Sequence, residues 1–292
     1  MRDVFMRELT GIARNNSDVI LMVGDLGYSV VEQFRSEFPD RFFNVGIAEQ
    51  NMMGMAAGMA SEGCQVYTYS IGNFPTWRCA EQVRNDIDYH DLSVVNVVVG
   101  GGVTYGPLGY SHHAIQDYAL MRSLPNMTIC APGDSLETEA LCRHISTSVG
   151  PYYLRLGKGN HKLHVDRDIN VGDGKICLVR EGDPKNVALA TGNVLYETLQ
   201  DERLTHRAIY SLPMWSSRSK ALVRESLIAC ESVITVEDHL LDCGFGSWFR
   251  EAFNGIESEY PRISNWSFPL SICGSVGSRN RLHAKIFSTD HS

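Results

Sequence analysis

The chain has 292 residues, with 26 Lys and Arg against 34 Asp and Glu, and its formal charge of −8 with no basic run excludes the electrostatic footprint of a nucleic-acid binder. Its 43% apolar content supports two ordinary cores or one large one, and no stretch is long and apolar enough for a membrane span. The eight cysteines are scattered without a Cys-x-x-Cys pair, and the amino terminus lacks a signal-peptide apolar stretch, so free thiols in the cytoplasm are the expectation.

Val4, Phe5, Leu9, Ile12 and Ala13 recur at helical spacing over 4–14. Val19-Ile20-Leu21-Met22-Val23 is short and apolar throughout, as in a buried parallel strand, and Gly24-Asp25 ends it. There follow a strand near 64–70, a helix near 79–88, a strand at Val94–Val99, a helix near 114–123, a strand at 127–130, a helix at 134–146 and a strand at 152–155. Strands alternating with helices predict a parallel sheet covered on both faces. From about 160 the pattern loosens, then resumes with strands at 187–190, 208–211 and 233–236 and helices near 193–201 and 217–229. The expectation is two doubly wound, mostly parallel α/β domains, 1–165 and 166–292, the second smaller with about five strands.

Several segments carry groups capable of chemistry. Glu49 begins a helix of small and apolar residues, where a dry neighbourhood and the helix terminus pull its carboxyl in opposite directions; it is either a reactive acid or a plain first-turn acid. Gly54 and Gly58, with Ala56, Ala57 and Ala60, allow close approach of a second helix or a tight core. Tyr69, Phe74 and Trp77 lie at and just beyond the end of a strand and are either a stacking platform for a flat ring or core aromatics. His112 and His113 sit beside a glycine-rich loop with no third ligand at metal spacing, so no metal site is read in this chain. Asp134 and Ser135 suffice as a helix cap. Arg155 at a strand end could grip a phosphate or pair with a carboxylate.

Phe43-Asn44-Val45-Gly46-Ile47-Ala48-Glu49-Gln50, with its Ala-Ala-Gly-Met-Ala tail, resembles the pyrimidine-binding domain of transketolases and 1-deoxy-xylulose-5-phosphate synthases. The resemblance implies thiamine diphosphate as cofactor, with Glu49 against N1' of its aminopyrimidine ring. A proton shared there favours the imino tautomer that activates the thiazolium. It also implies Phe74 as the stacking residue, with Trp77, Tyr69 and Asp25 as further cofactor-binding candidates. His112 corresponds to the family's active-site His that reaches substrate hydroxyls and the cofactor adduct, so Glu49 and His112 are the catalytic candidates. His112, His113, Arg155 and Lys158 are the substrate-binding ones. The chain departs from the family in a longer loop between Pro107 and His112, in His113 where Gln is common, and in Tyr105 where many transketolases carry Asp.

Val236-Glu237-Asp238-His239 and Gly244-Phe245-Gly246-Ser247 resemble the transketolase carboxy-terminal domain. Gly172-Asp173-Gly174 looks like the family's diphosphate and Mg²⁺ motif, yet Asn186 and Asn193 follow too soon to complete it, and the tripeptide reads as a turn. The resemblance therefore implies a split enzyme that transfers a two-carbon ketol unit between sugar or sugar-phosphate substrates. A second polypeptide with Gly-Asp-Gly and a downstream Asn would bind most of the Mg²⁺, in a heterotetramer of two copies of each. The alternatives are the beta subunit of a 2-oxoacid dehydrogenase E1 or another thiamine-diphosphate carboligase, and a non-enzymatic scaffold or regulator.

Overall fold

A valine-rich run marks a strand covered on both sides, and Val94–Val99, interrupted only by the buried Asn96, shows why. Val94 and Val98 pack in one core with Met52, Met53 and Ala56, whereas Val95, Val97 and Val99 pack in another with Phe5, Leu9 and Leu141. Each buried side chain of this size contributes roughly 1.5–3 kcal/mol. The computed structural model describes residues 1–158, 169–256 and 260–288.

Twelve strands are present among the described residues: β1 (Val19–Val23), β2 (Phe42–Asn44), β3 (Gln65–Ile71), β4 (Val94–Val99), β5 (Thr128–Cys130), β6 (Tyr152–Leu156), β7 (Cys177–Arg180), β8 (Asp183–Ala190), β9 (Arg207–Ser211), β10 (Met214–Trp215), β11 (Ser232–Leu240) and β12 (Arg262–Phe268). They form a seven-stranded sheet, β10-β5-β6-β4-β3-β1-β2, and a five-stranded sheet, β12-β11-β8-β9-β7. Pairing is parallel throughout except β10 with β5 and β7 with β9. The α/β class with mostly parallel, doubly wound sheets is thus as expected, and the second sheet has the anticipated size. The boundary expected near residue 165 lies outside the described residues.

Three differences from the sequence pattern have identifiable physical causes. The helix expected over 114–123 starts only at Asp117, because Ala114 exchanges backbone hydrogen bonds with Gly102 (2.8 and 2.9 Å) and holds the preceding residues out of helical geometry. The helix expected at 79–88 is a 3₁₀ turn (Trp77–Cys79), a short α segment (Ala80–Gln82) and a π turn (Val83–Asp88). The inward-turned Asp88 carboxylate there accepts the N–H of Asn126 at 3.1 Å. Finally, β10 comes from the carboxy-terminal half yet extends the amino-terminal sheet. Trp215 anchors it, buried against Tyr118 on one side and Phe245 and Trp248 on the other, at 5.0–5.4 Å between ring centroids. The two halves therefore share a core. Gly172-Asp173-Gly174 is a turn, as read, with Gly174 at φ +80° and the Asp173 carboxylate accepting from Ser216 at 2.6 Å.

Candidate active site

Because β1, β2, β3, β4 and β6 are parallel, all their carboxyl ends lie on one edge of the sheet, where open α/β sheets bind ligands. Asp25 follows β1, Glu49 follows β2, Phe74 follows β3, His112 follows β4 and Lys158 follows β6, so the topology alone gathers candidates spread over more than a hundred residues of sequence.

Glu49 opens the helix Glu49–Ser61, reached through a turn in which Gly46, at φ +72°, donates its N–H to the Asn44 side chain at 3.0 Å. Its side chain turns under the strand ends and is 2% exposed. One oxygen lies 3.5 Å from the Ser70 hydroxyl, and the other accepts from the Arg78 guanidinium at 2.5 Å. Gly24 faces the carboxylate closely; a methyl group there would sit 3.6 Å from Glu49 Oε1 and 3.3 Å from the Ser70 hydroxyl. Glu49 is thus buried but opens towards the edge of the sheet through half-exposed Arg78.

From Glu49 a continuous row of side chains runs across the strand ends. The Arg78 guanidinium lies over the Phe74 ring at 4.6 Å. The His112 ring meets Phe74 edge-on at 5.3 Å and Tyr105 at 6.4 Å. Lys158 Nζ lies 5.2 Å from the centre of the Tyr105 ring. Gly100, at φ +96°, makes room for that ring, which any side chain at 100 would strike. The Phe74 loop is fixed by Thr76, whose hydroxyl bonds the Gly72 carbonyl at 2.9 Å, and by Asn96, which donates to the Pro75 carbonyl at 2.9 Å. Asn73 ties it to the histidine loop, donating to the His113 carbonyl at 2.6 Å. Trp77 is half exposed and lines a shallow pocket of about 360 Å³ with Asn73, Tyr110, Ser111 and Gln116, next to the row.

The other candidates lie elsewhere. Tyr69 is a correction: on a strand, neighbours point to opposite faces, so with Ser70 turned to Glu49, Tyr69 enters the far core and stacks on Phe5 at 6.3 Å. It presents no face to the row. Arg155 is a second correction. It is 2% exposed, and its guanidinium donates to Asp117 at 2.6 Å, Asp238 at 2.5 Å, the Ala114 carbonyl at 2.7 Å and the Tyr118 hydroxyl at 3.2 Å. With its nitrogens engaged inside the protein, it does not grip a substrate phosphate. His113 is also inside, 1% exposed, and burial holds its imidazole below the ordinary range. Neither of its ring nitrogens makes a well-formed hydrogen bond among the described residues. Asp25, exposed at φ +52°, accepts from Asn44 at 3.0 Å beside the turn leading to Glu49.

Arg78, Ser70, Asn73 and Tyr105 were not assigned roles from sequence. Only Arg78 carried a signal, four residues after Phe74 at the onset of helical turns, the spacing at which a cation can lie over a ring. Residues 1–162 match the family model described as transketolase, pyrimidine binding domain. The chain belongs to the transketolase family. It is 32% identical over 272 residues to the putative transketolase C-terminal section of Methanocaldococcus jannaschii, covering 90% of this chain and 85% of that one. It is 31% identical over 258 residues to one subunit of the apulose-4-phosphate transketolase of Actinobacillus succinogenes, covering 86% and 82%. A solved structure described as a split gene transketolase, inactive beta4 tetramer, superposes with a TM-score of 0.80 at 29% identity over 94% of this chain and 90% of that one.

The family implies a flat aminopyrimidine at this edge, and the donor set suits one. A buried carboxylate oxygen and an aromatic face are here jointly engaged by a planar, N–H-bearing cation, the Arg78 guanidinium. The metal end is different: among the described residues, no group of three His, Cys, Asp or Glu side chains is arranged to hold a metal ion.

Proposed function

We propose that this chain is the ring-binding subunit of a split thiamine-diphosphate enzyme that transfers a two-carbon ketol unit between sugar-type substrates. The observation that carries this reading is the unbroken row Glu49, Arg78, Phe74, His112, Tyr105 and Lys158 along the strand ends of a transketolase-family chain. The cofactor, when bound, supplies a nucleophilic carbon that attacks the donor carbonyl. Glu49 holds a proton at the ring nitrogen, Phe74 stacks the ring with Trp77 beside it, and Asp25 flanks the turn that presents Glu49. His112, partly exposed between two aromatic rings, orients donor hydroxyls and moves a proton at the substrate oxygen. Lys158, exposed at the far end, suits an anionic substrate group such as a phosphate.

A second polypeptide carrying Gly-Asp-Gly and a downstream Asn would provide the diphosphate site and most of the Mg²⁺ ligands, in a heterotetramer of two copies of each. In support, one relative is described as a C-terminal section and another as a single subunit of its transketolase, and the solved relative is described as an inactive beta4 tetramer of a split gene transketolase. Gly54 and Gly58 leave open space on their helix, which suits close packing of another chain. The test is a ketol-transfer assay with this chain, a candidate partner and their mixture, each with thiamine diphosphate and Mg²⁺. Turnover only in the mixture is expected; turnover by this chain alone would overturn the proposal.

A further inference from the structure

The loop that carries His112 has little stiffness of its own. Gly100, Gly101, Gly102, Gly106 and Gly109 fall within ten residues, and three of them adopt positive φ, the conformations glycine enters with the least cost and the least rigidity. A side chain that must hold a substrate within fractions of an ångström cannot rely on such a backbone. Its position has to be imposed from outside.

Besides Asn73, which donates to the His113 carbonyl at 2.6 Å, the outside constraint comes from the carboxy-terminal half. Asp238 on β11 pairs with Arg155 at 2.5 Å, and the same guanidinium donates to the Ala114 carbonyl at 2.7 Å, two residues from His112. The N–H of Leu240 bonds the Ile115 carbonyl at 3.1 Å, and the N–H of Gly277 bonds the Gly106 carbonyl at 3.2 Å. The glycines are shaped to these walls: a methyl at Gly101 would lie 2.6 Å from the Arg155 guanidinium carbon, and one at Gly102 would lie 2.5 Å from the Asp238 carboxylate. The loop is therefore held by the carboxy-terminal half at both its ends, by β11 at Ile115 and, through Arg155, at Ala114, and by Gly277 at Gly106, with His112 between the two contacts.

We infer that the carboxy-terminal half sets the position of the substrate-facing histidine, with Asp238 as a positioning residue acting through Arg155. It touches no substrate. The substrate consequence rests on the reading of His112 proposed above, whereas the loop's rigidity does not, so the two are separable.

The experiment compares three variants of the full chain. Asp238→Asn weakens the inner clamp at constant size, Gly277→Pro removes the N–H of the outer one at a partly exposed position, and Tyr153→Phe removes a bond to Asp117 in the same buried cluster without touching the loop. Amide hydrogen exchange over residues 103–113 is expected to quicken about tenfold in D238N and less in G277P, with β4 and β6 unchanged. Y153F should lower stability and leave that loop's exchange as it was. In the reconstituted complex, D238N should raise the KM for a ketose donor while leaving thiamine-diphosphate affinity unaltered. Unchanged loop exchange in D238N and G277P, or an equal rise in all three variants, overturns the inference. If D238N does not fold, G277P decides alone. A complex without any ketol transfer counts against the proposed function, and the exchange result still judges the clamp.

Discussion

Two charged clusters, each built from an arginine, its carboxylate partners and an aromatic ring, do opposite things. At the strand ends, Glu49 pairs with an Arg78 that is 44% exposed and that lies on the open face of Phe74. Between the two sheets, Arg155 pairs with Asp117 and Asp238 with all three side chains at 1% exposure or less, its guanidinium over the Tyr118 ring at 4.5 Å. The chemistry of the two arginines is the same. What separates them is access: Arg78 can leave its carboxylate for water or yield it to a ligand, whereas Arg155 cannot leave without stranding two buried carboxylates. A site needs an exchangeable partner, and a joint needs one that is not.

The largest expected effect separates the clusters by function. Glu49→Gln in the reconstituted enzyme should reduce turnover about 10²–10⁴-fold, the usual worth of a positioned acid–base group, with the unfolding midpoint nearly unchanged. Steady-state kinetics beside a urea melt would check both halves of that statement. Arg155→Met should do the reverse at the level of the fold, costing about 3–5 kcal/mol in denaturant unfolding because two buried acids lose their counter-charge.

A smaller effect, of a few kcal/mol, is expected from pH at the joint. Burial pushes Glu237 up to about 8, against the pull of the Gly246 and Phe245 N–H groups that bond it. The folded chain thus keeps a proton that the unfolded chain releases above about 4.5, so this stabilisation is full below that pH and is lost as pH rises through about 8. Burial pushes His239 down to about 4, so its contribution runs the other way, full above about 6.5 and lost as pH falls through about 4. Thermal melts should show falling stability from pH 6.5 to 8.5, and Glu237→Gln should flatten that limb. The smallest contrast is between two aromatics: Phe74→Ala should weaken cofactor binding about tenfold, the worth of a lost stacking face, while Tyr69→Phe should leave it within about twofold.

Most of the fold was legible because the strands are covered on both faces and so appear as apolar runs: Val19–Val23 and Val94–Val99 match the structure residue for residue. β10 was not legible, since two residues carry no periodicity and Trp215 pairs only because the tertiary core brings it to β5. At the candidate site, Glu49, Phe74, His112 and Lys158 were singled out through local motifs, and they lie along one edge because parallel strands align their ends. Tyr69 misled because sequence adjacency to Ser70 places it on the opposite face. Arg155 misled because its acids, Asp117 and Asp238, are 38 and 83 residues away, and no local pattern announces such pairing.

In the proposed assembly this chain holds the ring end of thiamine diphosphate, and the charged end belongs to another subunit. Titrating thiamine diphosphate with Mg²⁺ into the purified chain by calorimetry, then into its mixture with the candidate partner, tests it most directly. Weak binding to the chain alone and tight, Mg²⁺-dependent binding to the mixture are predicted; tight metal-dependent binding to the chain alone would contradict the account.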